Sequence, residues 1–379
     1  MELSKSKMTK TSVSPSKVLP LSEDELRYKD QLEKKFGNPL DRVRKSSLAK
    51  ILLIVIAALL IIGGGAVYYF NSLFSAPQKQ AESEVFVVST VAEQKDIKDK
   101  LLSQGFIKNA WAFDYALTKT DSKIDAGGYR ISKSMDAWTL AKTVADKPAL
   151  VWVTIPEGLR KEEIGERLAK ALGWDEKALH EWTYTYTAMD YDHLEGVYFP
   201  DTYLIPTDEN GLDAANRLRR RFDEQFAPYM TKFLKQDVKW TTALKIASIV
   251  QREAGGKSDM PLIAGILWNR LLKNMKLEVD ATVQYARDDR DELTTGFWKP
   301  ITVADKEIDS KYNTYKYAGL PPFPISNPGI DAIDAVLNSE ETDCLYYLHD
   351  SNRQIHCAVT YEEHLQNIKN YLLKGGENE

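Results

Sequence analysis

Cysteine is nearly absent: two residues in 379 exclude a disulfide-rich scaffold. There is no surplus of positive charge. Fifty Lys and Arg face 55 Asp and Glu, a net charge of −5, which argues against nucleic acid as a bulk partner. Histidine is scarce, with 5 residues, and no CxxC or HxxxH-type spacing occurs. That argues against a metal site, although His349 and His356 lie near one another in the chain. Long apolar runs are absent apart from one. Aromatic content is an ordinary 10%, with Tyr and Trp gathered outside the N-terminal tail, a distribution that permits sugar binding without requiring it. At 379 residues the chain has room for two or three domains.

The one apolar run covers residues 51–70, about 20 uncharged residues, and is long enough to cross a bilayer as a helix. Arg42, Arg44, Lys45 and Lys50 precede it, and no basic residue follows until Lys79. The positive-inside rule then places the N-terminus in the cytoplasm and the rest outside. Tyr68, Tyr69 and Phe70 fit an aromatic belt at the outer interface. A cleaved signal peptide fits less well, since the run starts some 50 residues in and is longer than a signal core. Residues 1–50 carry 12 basic and 7 acidic groups, a local balance of +5. The first 20 or so read as disordered, and Leu21 to Phe36 as a short charged helix. Gly63–Gly65 permit close packing or a bend.

Residues 71–83 form a polar linker containing Pro77. A small unit follows over residues 84–150. Val85–Val88 reads as a strand. Ile97, Leu101 and Leu102 mark an amphipathic helix, Trp111–Leu117 a second, and Gly127–Ile131 a returning strand. Asp136–Ala145 adds a helix with Trp138 and Leu140 to bury. The strand–helix–helix–strand order resembles a LysM module, a fold associated with N-acetylglucosamine-containing glycans. A spacer without a ligand has the same element order.

Residues 151–379 make the larger domain. Leu150–Ile155 reads as a strand, and Pro156-Glu157-Gly158 turns it into a helix through Ile164, Leu168 and Leu172. Glu195 to Tyr203 is a compact aromatic stretch whose rings suit core packing; Asp201 suits a local turn. Ser258-Asp259-Met260-Pro261 looks like a helix start, with Leu262, Ile263, Ile266, Leu267 and Leu271 as its apolar stripe. The rigid, polar, aromatic stretches 312–315, 319–322 and 325–329 suit a groove wall. Leu345–Leu348 and Ile355–Val359 flank Asp350–Arg353, a hairpin signal. Cys344 and Cys357 fall roughly opposite across it, and outside the cytoplasm a cross-strand disulfide is expected there. A last helix runs through Leu365, Ile368 and Leu372.

The stretch that organises this domain is Lys245 to Gly256. It reads as a helix closed by glycine at its C-terminus. At 3.6 residues per turn Ile246, Ile249, Val250 and Glu253 share one stripe. A carboxyl on an apolar stripe has its pKa raised, because burial penalises the charged form, and can donate a proton near neutral pH. A glutamate at a frayed helix end, bent out to solvent, has the same spacing.

An ordered set of motifs weighs on that choice. It runs from Ala126-Gly127-Gly128-Tyr129-Arg130 and Pro156-Glu157-Gly158 to Glu195-Gly196 with Phe199-Pro200-Asp201-Thr202-Tyr203. Ala247-Ser248-Ile249-Val250-Gln251-Arg252-Glu253, Asn269-Arg270-Leu271 and Asp280-Ala281-Thr282-Val283-Gln284-Tyr285 follow. Tyr312-Asn313-Thr314-Tyr315, Gly319-Leu320-Pro321-Pro322 and Asn327-Pro328-Gly329 complete it. The set resembles the YceG-like family of endolytic murein transglycosylases over roughly residues 84–374. The resemblance implies an α+β architecture with a single transmembrane helix, a small LysM-like βααβ subdomain and a larger mixed α/β catalytic domain with its catalytic glutamate on a helix. The family's catalytic glutamate falls on Glu253. Many relatives carry a second glutamate where this chain has Gln251. Cys344 and Cys357 are outside the family pattern.

The resemblance implies lytic cleavage of the β-1,4 bond between N-acetylmuramic acid and N-acetylglucosamine inside a glycan strand, with no cofactor. The protonated carboxyl delivers its proton to the leaving oxygen. As a carboxylate it takes the proton of the muramoyl C6 hydroxyl, which attacks C1 and closes a 1,6-anhydro ring. An ordinary glycosidase instead needs two carboxyl groups. Asn269, Asp280, Tyr312 and Asn313 are candidates for holding the substrate, and each serves equally well as a capping or loop-fixing residue. Expected partners are glycan strands, the membrane through residues 51–70, and the peptidoglycan synthesis machinery. Two rival readings stand beside this one: a hydrolase using Glu278 or Asp280 as second carboxylate, and a non-catalytic wall anchor.

Overall fold

The structure is a computed structural model describing residues 21–37, 39–120, 122–188, 193–288 and 296–373. The segment expected to be disordered lies outside these residues. The chain divides into two units, residues 1–75 and 76–379.

The first unit is helical. Helix α1 (Glu23–Phe36) starts where the expected short helix does, on a capping box in which Ser22 and Glu25 satisfy each other's backbone N–H groups. Helix α2 (Pro39–Phe74) has 36 residues, and Gly63–Gly65 leave it unbroken. Its Ser47–Phe74 portion, 28 residues of mean hydropathy 2.7, is long and apolar enough to cross a membrane. It contains the expected span and overruns it at both ends.

The second unit opens with strand β1 (Ser83–Val88), helices α3 (Gln94–Ser103) and α4 (Ala110–Leu117), strand β2 (Gly127–Ser132) and helix α5 (Ala137–Ala145). β1 and β2 are antiparallel. Phe86, Leu101, Phe113, Ile131 and Leu140 fill a core of their own. Trp138 does not join it. Helix α5 buries Ala137, Leu140, Ala141 and Val144, spaced i, i+3, i+4 and i+7, so position 138 points off that stripe and is 42% exposed. Leu102 is likewise exposed, because α3 buries only Ile97 and Leu101.

Strand β3 (Leu150–Thr154) continues the same sheet, and β4 (Thr202–Pro206) closes it in the order β1-β2-β3-β4. β3 reaches β2 at Gly128, opposite Leu150. A Cβ on Gly127 would lie 2.6 Å from the Leu150 carbonyl oxygen, so the approach needs glycine there.

Between β3 and β4 come helices α6 (Lys161–Leu172) and α7 (Glu176–Glu181). The rings of Tyr198, Phe199 and Tyr203 are buried in the core, as expected of this compact aromatic stretch. Asp201 caps the turn by accepting from the Thr202 N–H and also pairs with Arg221 at 2.7 Å. Helices α8 (Gly211–Lys235), α9 (Trp240–Glu253), α10 (Met260–Leu272), α11 (Asp280–Asp288) and α12 (Ile330–Leu337) follow. Helix α9 is the hub, packed against α8, α10, α11 and α12. The stretch 325–329 is not a groove wall. Ile325, Ser326 and Asn327 are fully buried, and the Ser248 hydroxyl accepts from the Ile325 N–H behind α9.

A hairpin of β5 (Tyr346–His349) and β6 (Ile355–Ala358), then α13 (Tyr361–Asn367) running on into a π-helical segment over Ile368–Leu373, end the described chain. The Sγ atoms of Cys344 and Cys357 are bonded, 13 residues apart in sequence. Closing a loop of that size restricts the unfolded chain, so the double variant Cys344→Ser, Cys357→Ser is expected to lose about 2–3 kcal/mol of stability. Thermal unfolding without reductant measures this. Neither thiol of the wild type should be alkylated before reduction.

Candidate active site

Helix α9 ends on Glu253, but not with the glycine cap its sequence predicts. The cap residue is Ala254 in extended backbone. Gly255 and Gly256 instead donate their N–H groups to the Asp259 carboxylate at 2.9 and 3.1 Å. A Cβ on Gly255 would lie 3.0 Å from the Arg353 carbonyl and 3.1 Å from the His349 ring, so this glycine serves close approach. His349 also reaches Asp259, at 2.7 Å. The helix end is thus tied to the β5–β6 hairpin.

Ile246, Ile249 and Val250 are fully buried, and Glu253 shares their stripe at the last turn. Its carboxyl is not bent out to solvent. The Tyr347 hydroxyl donates to Oε2 at 2.7 Å. Burial raises the Glu253 pKa above the usual carboxylate range and is the largest influence. The Tyr347 hydrogen bond works against it, Asp280 adds to it, and the Ala281 N–H and His349 oppose it. The C-terminal end of the α9 dipole also disfavours a carboxylate there. Tyr347 is itself pushed well above its usual value, chiefly by burial, and so stays a donor.

Glu253 faces a cavity of about 500 Å³ also lined by Arg252, Arg270, Glu278, Asp280, Gln284, Tyr315, Tyr346, Tyr347, Tyr361 and His364. That is within the range of roughly 300–1,000 Å³ common for ligand clefts. Of the four residues proposed from sequence to hold substrate, Asp280 alone lines it. It accepts from the Tyr315 hydroxyl at 2.6 Å. Asn269 donates to the carbonyls of Thr342 and Cys344 at 2.6 and 3.2 Å, anchoring the chain before β5. Asn313 is fully buried and donates to the carbonyls of Lys306 and Ile308, both at 2.8 Å. Tyr312 packs on Tyr285, with ring centres 4.8 Å apart. These three take the loop-fixing role. Glu278 lines the cavity and pairs with Arg270 at 3.2 Å.

Residues 86–370 match the YceG-like family. The chain belongs to that family. An endolytic murein transglycosylase of Streptococcus pneumoniae (serotype 2, strain D39) is 26% identical over 77% of this chain and 59% of its own length. The enzyme of the same name from Bacillus subtilis (strain 168) is 28% identical over 78% of this chain and 84% of its own. This chain thus spans under two thirds of the pneumococcal protein. A yceG-like protein of Listeria monocytogenes, known from its crystal structure, matches with a TM-score of 0.53 at 28% identity, covering 75% of this chain and 98% of that one.

Several YceG-like motifs converge behind the cleft and not in it. Glu195 is buried and accepts from the Asn327 amide at 2.6 Å, the Lys161 N–H at 3.1 Å and the Tyr285 hydroxyl at 3.3 Å. Burial, with the nearby Glu162 charge, pushes its pKa up to about 8, against the pull of Arg160. Asn327 in turn accepts from the Tyr198 N–H at 2.8 Å. Gln251 accepts from the Gly329 N–H at 3.0 Å and donates to Glu157 at 3.4 Å, so it joins this support and does not line the cavity. Arg252 stacks over the Trp298 ring at 3.8 Å. Sequence reasoning placed Tyr315 within a groove-wall stretch, as the cleft bears out, and missed Tyr346, Tyr347, Tyr361 and His364 as cleft residues. Only the adjacency of Tyr346 and Tyr347 in a predicted hairpin strand hinted at them.

Proposed function

We propose that this YceG-like chain is a membrane-anchored endolytic lytic transglycosylase, cutting the N-acetylmuramic acid–N-acetylglucosamine β-1,4 bond within nascent peptidoglycan strands. The observation that carries the reading is a single mostly buried carboxyl, Glu253, with a raised pKa, gripped by Tyr347 at the floor of a glycan-sized cleft. Family membership and the names of the two relatives support the reaction class. Glu253 gives its proton to the glycosidic oxygen as the C1–O bond breaks. The muramoyl C6 oxygen then bonds to C1, and its proton returns to Glu253. Asp280 stabilises the positive charge developing at C1 in this reading, supported by its place in the cleft and by the Tyr315 hydroxyl that it accepts from.

Helix α2 is the anchor in this account, with the N-terminus in the cytoplasm and residues 76–379 on the outer face, where nascent strands emerge. Cutting there would end strand elongation beside the synthesis machinery. Residues 84–150 act as a LysM-like unit. The test is the length distribution of purified uncrosslinked glycan strands treated with the full-length protein in detergent micelles. Mid-length products at early times are expected. Disaccharides released from strand ends would refute endolytic action, and unchanged strands bound to the protein would favour a wall anchor.

The acid form of Glu253 starts the cycle, so the rate should fall as pH rises through its raised pKa. Tyr347→Phe removes a hydrogen bond that favours the charged form. Its alkaline limb should therefore move to higher pH, with kcat down roughly tenfold from lost orientation. Asp280→Asn removes a charge that raises the Glu253 pKa, so its limb should move to lower pH. The two pH–rate profiles check this, and shifts in the same direction would contradict it.

A further inference from the structure

The hairpin divides the cleft. Successive side chains of a strand point to opposite sides, and Tyr347 and Tyr346 follow one another in β5. Tyr347 turns to Glu253, while Tyr346 packs with Tyr361 and His364, ring centres 5.7 and 5.4 Å away. All four line the same cavity. The second side is therefore an aromatic wall continuous with the catalytic one.

That wall is rigid. Arg270 sits 5.0 Å over the Tyr346 ring, and its guanidinium is fixed by the carbonyls of Leu345, Lys276 and Leu277 at 2.6 to 3.0 Å. Tyr361 is the first residue of α13, held by a capping box in which Thr360 accepts from the Glu363 N–H and Glu363 accepts from Thr360. Asn367 ties the same helix to the Cys357 carbonyl at 3.2 Å. Despite this fixation Tyr361 is 54% exposed. An ordered, open aromatic face beside a polar cleft suits a pyranose ring, whose axial C–H bonds form an apolar face while its hydroxyls stay wet.

We propose that Tyr361, backed by Tyr346 and His364, forms a saccharide subsite at which a sugar ring of the glycan strand, away from the scissile bond, stacks. This rests on the glycan-cleaving reading above and adds the place where the strand is gripped. It also gives α13, remote from Glu253 in sequence, a part in substrate binding.

The test uses the full-length chain in detergent micelles with purified uncrosslinked glycan strands. Tyr361→Ala should lower kcat/KM roughly tenfold, while Tyr361→Phe, which keeps the ring, should stay within about twofold of wild type. Leu365→Ala is the control. Leu365 is exposed on the same helix and does not line the cavity, so this variant should match wild type. A second arm measures strand binding to Glu253→Gln and to Glu253→Gln with Tyr361→Ala, and the added change should weaken binding by a similar factor. Equal losses in Tyr361→Ala and Leu365→Ala, or no loss in Tyr361→Ala, would overturn the subsite. If the wild type cuts nothing, the catalytic reading fails while the binding arm still decides the subsite.

Discussion

Glu253→Gln is expected to lower glycan cleavage by about 10³-fold or more, the scale set by losing a general acid and its matching base together. The amide keeps the shape of the protonated carboxyl. Its oxygen can still accept from Tyr347, which holds Glu253 at 2.7 Å. What it cannot do is pass a proton to the leaving oxygen or take one from the C6 hydroxyl. The melting temperature should stay within a few degrees of wild type, since the charge removed is one that burial disfavours. The rate at which new chain ends form is the measurement. A variant keeping a tenth of the activity would move the acid elsewhere, with Asp280 and Glu278 the other carboxyls in the cleft.

The largest expected loss of stability lies behind the cleft. Glu195→Ala would strand three donors at once: the Asn327 amide, the Lys161 N–H and the Tyr285 hydroxyl. Each buried unpaired group costs about 1–3 kcal/mol, and a cavity adds to that. A total of roughly 3–5 kcal/mol is expected, read from denaturant unfolding. Glu195→Gln keeps the volume and one acceptor, so it should fall between that variant and wild type. The wild type should also weaken as pH rises. The folded-state pKa of about 8 lies above the ordinary 4.5, so the folded protein holds a proton that the unfolded chain has released. That contribution is complete below about 4.5 and is lost by about 8. If Glu195→Ala unfolds like wild type, the convergence of motifs on this residue has no energetic meaning.

Glu253 and Tyr347 were unequally legible in the sequence. Glu253 could be found because a helix has a period: four positions fix a stripe, and the stripe carries its carboxyl to the end of a buried face. The charged helix from Leu21 to Phe36, the hairpin around Asp350–Arg353 and the apolar span were legible for the same reason, since each is encoded within neighbouring residues. Tyr347 was not. It meets Glu253 from 94 positions away, and a tyrosine in a four-residue strand has no local signature. Asn269 and Asn313 went the other way. Their amides suit a sugar hydroxyl as well as a backbone carbonyl, and only the fold reveals that carbonyls of 342, 344, 306 and 308 had claimed them. The stretch 325–329 looked like a groove wall because its composition is that of a loop. It is buried against α9, where the Ile325 N–H donates to the Ser248 hydroxyl and the Ser326 hydroxyl donates to the Ser248 carbonyl. Gly255 matched a cap position by sequence and proved to be a contact point for Asp259 and His349.

The central claim is that one carboxyl suffices and that no water enters the reaction. Digestion of purified glycan strands by the full-length protein in ¹⁸O-labelled water tests it most directly, with the new ends read by mass spectrometry. The account predicts 1,6-anhydro ends free of ¹⁸O, formed by wild type and not by Glu253→Gln. Reducing ends carrying one ¹⁸O each would contradict it and make the protein a hydrolase, with a second carboxylate to be found at Asp280 or Glu278.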